Sequence, residues 1–495
     1  MLFNSITYAI FLPIVFFLYW FVFQCNLKVQ NIFLVIASYV FYGWWDWRFL
    51  VLIIFTSFCS WGCGLLTQNV DNRHIMNNLH PYLSRKFLSI CNIVLNLGIL
   101  GVFKYYNFFV ESFISAFASV GIHLQPHTLK IILPIGISFY TFQALSYSID
   151  VYKRKIEPTK DVVAFFAYIG FFPLLVAGPI ERATNLLPQF YKKRTFDYIK
   201  AVDGLRQGLW GLFKKIVIAD NCATYVNMVF ENPQDQTGSI LLLGAVFFAF
   251  QIYGDFSGYS DIAIGTARLF GINAMRNFAY PYFSRDIAEF WRRWHISLTT
   301  WFRDYVYIPL GGSRCKKWKV VRNTFIIFLV SGFWHGANWT FIAWGAFHAI
   351  LFLPLILLNQ NRKNTNIVAG SKIFPSIKEV WQMGLTFLLV VFGWVFFRAD
   401  SIGQAFKYFE GMINTSLFSF TKLTENKLVF LQILQNATFI FFMLVVEWNG
   451  RKNQFGIERL GINWRPIFRY IMYFIIISLT FIFQGEEQVF IYFQF

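Results

Sequence analysis

Two histidines in tryptophan-rich, apolar surroundings are the residues of this chain best able to do chemistry. His335 stands in Phe333-Trp334-His335-Gly336-Ala337-Asn338-Trp339, within a stretch from Thr324 to Leu358 that is otherwise apolar enough to cross a membrane. A polar side chain at bilayer depth is costly unless it faces a cavity or a partner, so an intramembrane histidine marks a functional site by default. The plainer reading is an interhelical hydrogen bond. His295 lies 40 residues earlier, in Trp294-His295-Ile296-Ser297-Leu298, so the two rings can meet only through tertiary structure. With a near-neutral pKa, either imidazole could accept a proton from an attacking hydroxyl. Taken alone, His295 reads as an interfacial or structural histidine, and His348, on the same predicted helix as His335, reads as structural.

A third constellation, Gln251-Ile252-Tyr253-Gly254-Asp255-Phe256-Ser257-Gly258-Tyr259-Ser260-Asp261, puts two carboxylates and several hydroxyls into an apolar run. Buried carboxylates need partners. Asp255 and Asp261 could pair with Arg292, Arg293 or Arg303 for architecture, orient a histidine, or coordinate a cation. Gly178-Pro179-Ile180-Glu181-Arg182 ends a predicted span with a turn and a charge pair, either structural or lining a substrate entry. Neither a metal-ligand cluster nor a phosphate-binding glycine loop nor a Gly-x-Ser-x-Gly elbow is visible. The six cysteines lie mostly within or beside apolar runs and read as packing residues, without a disulfide framework or zinc.

The elements that must position these groups are membrane helices. Of 495 residues, 57% are hydrophobic, 21% aromatic and only 14% charged, and mean hydropathy is +0.50. These values exclude a set of soluble domains and predict an all-α polytopic membrane protein. Apolar stretches of spanning character fall at 6–24, 29–45, 48–67, 87–110, 131–149, 162–178, 205–220, 239–266, 323–337, 339–358, 381–398, 428–447 and 467–484. Several are short or interrupted by Gly or Pro, which predicts about eleven to thirteen spans with re-entrant or interfacial pieces. The first stretch lacks a basic leader and a small-residue cleavage site and is expected to remain as a span.

The net charge of +18 does not point to nucleic acid, because the basic residues sit in short connections and act as topology signals. Arg73, Arg85 and Lys86; Lys153 to Lys155; Lys192 to Arg194; and Arg314, Lys316, Lys317, Lys319 and Arg322 mark expected cytoplasmic loops. Ser284 or Asp286 is a candidate N-cap for an amphipathic helix running to His295, at the cytoplasmic interface or half inserted. The chain reads as one membrane domain, 1–484, with a catalytic core at roughly 130–358, followed by a short apolar tail, 485–495, expected outside the cytoplasm and folded back onto the protein.

At these residues the chain resembles the membrane-bound O-acyltransferase (MBOAT) superfamily, in its bacterial branch of alginate O-acetylation, peptidoglycan O-acetylation and teichoic acid D-alanylation proteins. The resemblance is carried by Met1-Leu2-Phe3-Asn4-Ser5, Gly178 to Arg182, Asp255 to Asp261, Glu289 to Leu298, Trp301 to Gly312 and Gly332 to Gly336, in order along most of the chain. It implies helices around a central tunnel and a multi-pass protein of the bacterial inner membrane. It also implies His335 as the catalytic base, with His295 nearby, and acetyl-CoA as donor substrate with no permanently bound cofactor or metal. Trp334, Asn338, Trp339, Asp255, Ser257, Asp261, Arg292 and Arg303 are the expected substrate- or tunnel-lining residues, Trp334 and Trp339 shielding the thioester from water. Phe490-Ile491-Tyr492-Phe493-Gln494-Phe495 is similar to the Phe-x-Tyr-x-x-Phe end of the small partner peptide of teichoic acid D-alanylation, which implies that Tyr492 carries the acyl group; the plainer reading is an aromatic plug that anchors the terminus at the interface. The implied partners are an extracytoplasmic O-acetyltransferase, a polysaccharide acceptor such as peptidoglycan or alginate, and the bilayer. A D-alanyl or other acyl transfer to teichoic acid or lipid, and a transporter using a His/Asp relay, remain the alternatives.

Overall fold

The computed structural model describes residues 1–71, 84–125, 128–129, 131–370, 372–419, 424, 427–485 and 488–493. Arg73, Glu486, Glu487 and the Gln494-Phe495 end of the aromatic motif lie outside them. The described residues are helical without a strand, and the chain is an all-α polytopic membrane protein. Among the described residues, six helical runs are long and apolar enough to cross a bilayer: Leu27–Gln68, Arg85–Ala118, Gly238–Leu269, Trp339–Leu357, Ile377–Arg398 and Lys427–Asn449. The first of these holds two helices, Leu27–Asp46 and Leu50–Asp71, joined by a tight turn. Other predicted spans are interrupted: Val162–Gly170 stops short, and Phe172–Leu175, with Pro173 in its first turn, forms a separate piece.

Contacts divide the chain into two compact units, Met1–Gly204 with Ala263–Met275, and Leu205–Ile262 with Arg276–Phe495. In the first, helices begin where a small polar side chain can accept a free amide. Ser5 accepts from Tyr8, Asn26 from Lys28, Ser84 from Phe87 and Asp161 from Ala164. Since lipid tails are as apolar as leucine, polar side chains bridge the helices. Asn96 donates to the Ser60 hydroxyl at 3.3 Å, and the hydroxyls of Tyr8 and Thr266 meet at 2.8 Å. Glu181 is fully buried, accepts from the Met275 N–H at 2.5 Å and from Asn185 Nδ2 at 2.8 Å, and is pushed by burial up to about 7. Of the two readings of the Gly178 to Arg182 motif, these bonds supply the structural one.

The second unit carries both histidines. Its Lys317–His335 and Trp339–Leu357 helices form a hairpin that breaks at extended Gly336, and Asn338 caps the second helix by accepting from the Thr340 N–H at 3.0 Å. The two backbones approach so closely that a Cβ at Gly332 would strike the Phe341 carbonyl oxygen, and one at Gly345 that of Phe328. The amphipathic helix expected at the interface or half inserted over 284–295 is a short core helix, Ile287–Arg293, capped by Asp286 and buried at Ile287, Ala288, Glu289, Phe290 and Trp291. Burial of Glu289 is possible because Arg285 and Arg293 hold its two carboxylate oxygens at 3.0 and 2.7 Å.

Gly332→Ala should therefore force the hairpin apart and lower stability by about 1–3 kcal/mol, the usual cost of overpacking. Thermal unfolding in detergent checks this, with Gly98→Ala, whose methyl meets open space, leaving the midpoint unchanged or higher.

Candidate functional site

His335 is the last residue of its helix, and the chain leaves it through an extended glycine, so its ring sits at a helix end facing the second unit's interior. It is 2% exposed. Aromatic rings enclose it: Trp334 at 5.0 Å between centroids, Trp344 edge-on at 5.1 Å, Phe397 at 5.5 Å and Tyr492 at 5.4 Å. Such a lining excludes water, and in a dry site electrostatic interactions gain strength.

His295 is placed by a different device. It falls in the joint between Ile287–Arg293 and Ile296–Phe302, with φ 43° and ψ 55°, a left-handed conformation uncommon outside glycine. Its Nδ1 lies 3.0 Å from Asn277 Oδ1. Asn277 donates through Nδ2 to the Ser260 hydroxyl at 3.0 Å, and its Oδ1 also receives the Ser297 hydroxyl at 2.9 Å, so this oxygen is the acceptor and His295 Nδ1 carries the proton. Nε2 is then left as a bare, buried acceptor with no hydrogen-bond partner among the described residues. Burial lowers the pKa of the ring to about 3, which keeps it neutral at physiological pH.

The third group is Tyr492. Its hydroxyl is buried and has no hydrogen-bond partner among the described residues. The ring lies 4.4 Å from Phe256, and its centroid is 6.4 Å from that of His295, whose own centroid is 6.5 Å from that of His335. Residues 295, 335 and 492, far apart in sequence, thus form one triangle. A phenol and two imidazoles in a water-poor enclosure are equipped for proton transfer to and from a hydroxyl.

The carboxylates pair differently from expectation. Asp255 and Asp261 reach lysines, not arginines. Lys214 and Lys215 sit on a π-helical stretch, Phe213–Asp220, whose backbone lies against the Gly238–Leu269 helix; a Cβ at Gly254 would come within 2.8 Å of the Lys214 carbonyl. Lys214 Nζ stands 2.7 Å from Asp261 and 3.9 Å from Glu447, and donates to the Ser257 hydroxyl at 2.9 Å. Lys215 Nζ stands 2.8 Å from Asp255 and 2.7 Å from Asp220. The predicted arginines are used elsewhere: Arg293 on Glu289, Arg303 on neighbouring Asp304 at 2.7 Å, and exposed Arg292 on the carbonyls of Asn361 and Asn364 at 2.9 and 2.6 Å. Arg292 is drawn outward because its acceptors lie in the loop after the Trp339–Leu357 helix, and Arg303 closes on the residue beside it. Among the other expected lining residues, Trp334 joins the enclosure, Asn338 is occupied as a helix cap that also donates to the Asp400 carbonyl at 3.0 Å, and Trp339 stands 53% exposed outside it. His348 lies on the Trp339–Leu357 helix and not, as expected, on the helix of His335, because the chain breaks at Gly336; it is buried against Trp291 and Trp344 at 5.0 and 5.1 Å and belongs to the core.

Sequence reasoning missed Asn277, Trp344, Phe397, Lys214 and Lys215. The lysines did carry a signal, since two adjacent cations inside the apolar run 205–220 demand buried acids. Asn277 carried none: an asparagine in an irregular segment acquires its role only when the joint at His295 folds beside it.

Residues 159–392, which include both histidines, match the model of the membrane-bound O-acyltransferase family, MBOAT. The chain is 39% identical to a probable alginate O-acetylase AlgI of Pseudomonas aeruginosa over 91% of its own length and 81% of that protein. It is 31% identical to a peptidoglycan O-acetyltransferase of Helicobacter pylori over 100% and 98% of the two chains. A teichoic acid D-alanyltransferase of Bacillus subtilis is 28% identical over 56% of this chain and 70% of its own.

Lys214→Met removes the ammonium facing Asp261 and Glu447 and should cost about 3–5 kcal/mol, the penalty for breaking one side of a buried pair. Adding Asp261→Asn should restore part of the loss, which thermal unfolding of the single and double variants measures.

Proposed function

The chain belongs to the membrane-bound O-acyltransferase family, and from that membership we propose that it carries acetyl groups from cytoplasmic acetyl-CoA across the bacterial inner membrane for O-acetylation of an extracytoplasmic polysaccharide. The single observation that carries the reading is the triangle of rings, with Tyr492 5.4 Å from His335 and 6.4 Å from His295. It supports an acyl relay in which neither carrier has to cross the bilayer.

In this reading the Tyr492 hydroxyl attacks the thioester carbonyl of acetyl-CoA while His335 takes its proton. The new C–O bond forms as the C–S bond breaks, and the imidazolium returns the proton to the leaving thiolate, giving acetyl-tyrosine and free CoA. His295, held neutral with Nδ1 protonated, offers Nε2 as a second acceptor that orients the hydroxyl. Trp334, Trp344 and Phe397 keep water from competing as the nucleophile. In the second half-reaction a hydroxyl on a separate extracytoplasmic O-acetyltransferase attacks the tyrosyl ester, restoring Tyr492 and passing the acetyl group on to the polysaccharide. The acceptor polysaccharide is of the peptidoglycan or alginate class, the two for which the relatives at 31% and 39% identity are named.

The test is intact-mass measurement of the purified chain incubated with acetyl-CoA. One acetyl adduct should form, map to Tyr492, and be lost in Tyr492→Phe, which keeps the ring and removes only the nucleophile. In His335→Ala the adduct should form at least about a hundredfold more slowly, the usual scale for loss of a positioned base. An adduct that persists in Tyr492→Phe, or CoA release that requires only an added polysaccharide, would replace the relay with direct transfer.

A further inference from the structure

Lys215, Asp220 and Asp255 take no part in the relay chemistry, yet they are where the segment bearing Tyr492 is tied to the helices. Lys215 Nζ, already between Asp220 and Asp255, also donates to the Gln488 carbonyl at 3.0 Å. The second oxygen of Asp255 accepts the Ile491 N–H at 2.7 Å. Lys215 faces both carboxylates in a buried place, where Lys215 and Asp255 are 1% and 3% exposed. A backbone N–H aimed at the second Asp255 oxygen is a charge-assisted bond that helps to solvate the buried carboxylate. On either side of this contact Phe490, fully buried, packs on Tyr259 at 4.5 Å and Phe256 at 5.9 Å, and Ile491 is 3% exposed.

Both polar contacts engage main-chain atoms, so they fix where the segment lies and leave the side chain at 492 free to change chemically. When the segment departs, Lys215 keeps its two carboxylates and no cation is stranded. We propose that Lys215 and Asp255 are positioning residues that form a reversible docking site for the backbone of residues 488–491, setting the Tyr492 ring beside His335. The inference rests on the relay reading for the purpose of docking, and on the two main-chain bonds for the docking itself.

Hydrogen exchange of the full chain in detergent, read by mass spectrometry, tests it with Asp255→Leu and Ile491→Pro. Asp255→Leu removes the acceptor while leaving a neutral Lys215–Asp220 pair. Ile491→Pro removes the donor at the start of the closing helical turn, where proline's φ is tolerated, and leaves every charged side chain in place, so it decides the matter if Asp255→Leu loosens more than the segment. Amides of 488–493 should exchange about tenfold faster or more in both, with exchange in the Gly238–Leu269 helix unchanged and the yield of acetyl adduct lowered in parallel. Tyr492→Phe should keep slow exchange while losing the adduct. Unchanged exchange in Ile491→Pro would overturn the docking site even if the wild-type chain takes up acetyl groups. Faster exchange in that variant, alongside a wild-type chain that takes up none, would support docking and remove the relay.

Discussion

A charge buried away from water must be neutralised by a partner, and the second unit is organised around two adjacent lysines that meet this requirement in different directions. Lys214 serves Asp261, Glu447 and Ser257, while Lys215 serves Asp220, Asp255 and the Gln488 carbonyl. Tyr253 completes the first group by donating to Glu447 at 2.8 Å. Through these contacts the π-helical stretch, the Gly238–Leu269 helix, the Lys427–Asn449 helix and the segment around Tyr492 are all bound to one pair of cations. The widened turn is the local means: it sets both ammonium groups against a single neighbouring helix whose glycines admit the backbone closely.

Much of the fold was legible because membrane helices announce themselves by length and apolarity, as Gly238–Leu269 and Trp339–Leu357 did almost to the residue. The motifs also drew attention to two histidines and to Tyr492, whose rings the fold brings together, since an ionisable group in an apolar run is conspicuous. What escaped was pairing. Opposite charges attract without regard to sequence distance, and composition alone could not choose between Arg292, Arg293 and Arg303 and the two lysines as partners for Asp255 and Asp261. The helix expected at the interface or half inserted over 284–295 lies deeper for a related reason: Glu289 is enclosed by Arg285 and Arg293, and that internal neutralisation lets the whole turn sink into the core.

The three rings are positioned by three interruptions of regular structure. His335 ends a helix at Gly336, His295 occupies a left-handed joint, and Tyr492 rides on a short turn held by its main chain. Membrane helices satisfy their own backbones and are rigid for that reason, so a site that must gather side chains from separate helices is built at their ends and breaks. The surrounding indoles and phenyl rings then supply a dry lining without presenting competing hydrogen-bond acceptors.

The joint at His295 has a consequence for how the chain can change. A side chain within a helix inherits the rotational phase of every residue before it, and a single insertion would swing it by about 100°. His295 is released from that phase, because its direction is set by one left-handed residue and by the grip of Asn277. The helices on either side can lengthen, shorten or tilt, and the joint absorbs the difference while the imidazole keeps its bearing. The site therefore tolerates drift in the very elements that carry it, much as a gimbal holds its instrument steady in a moving frame.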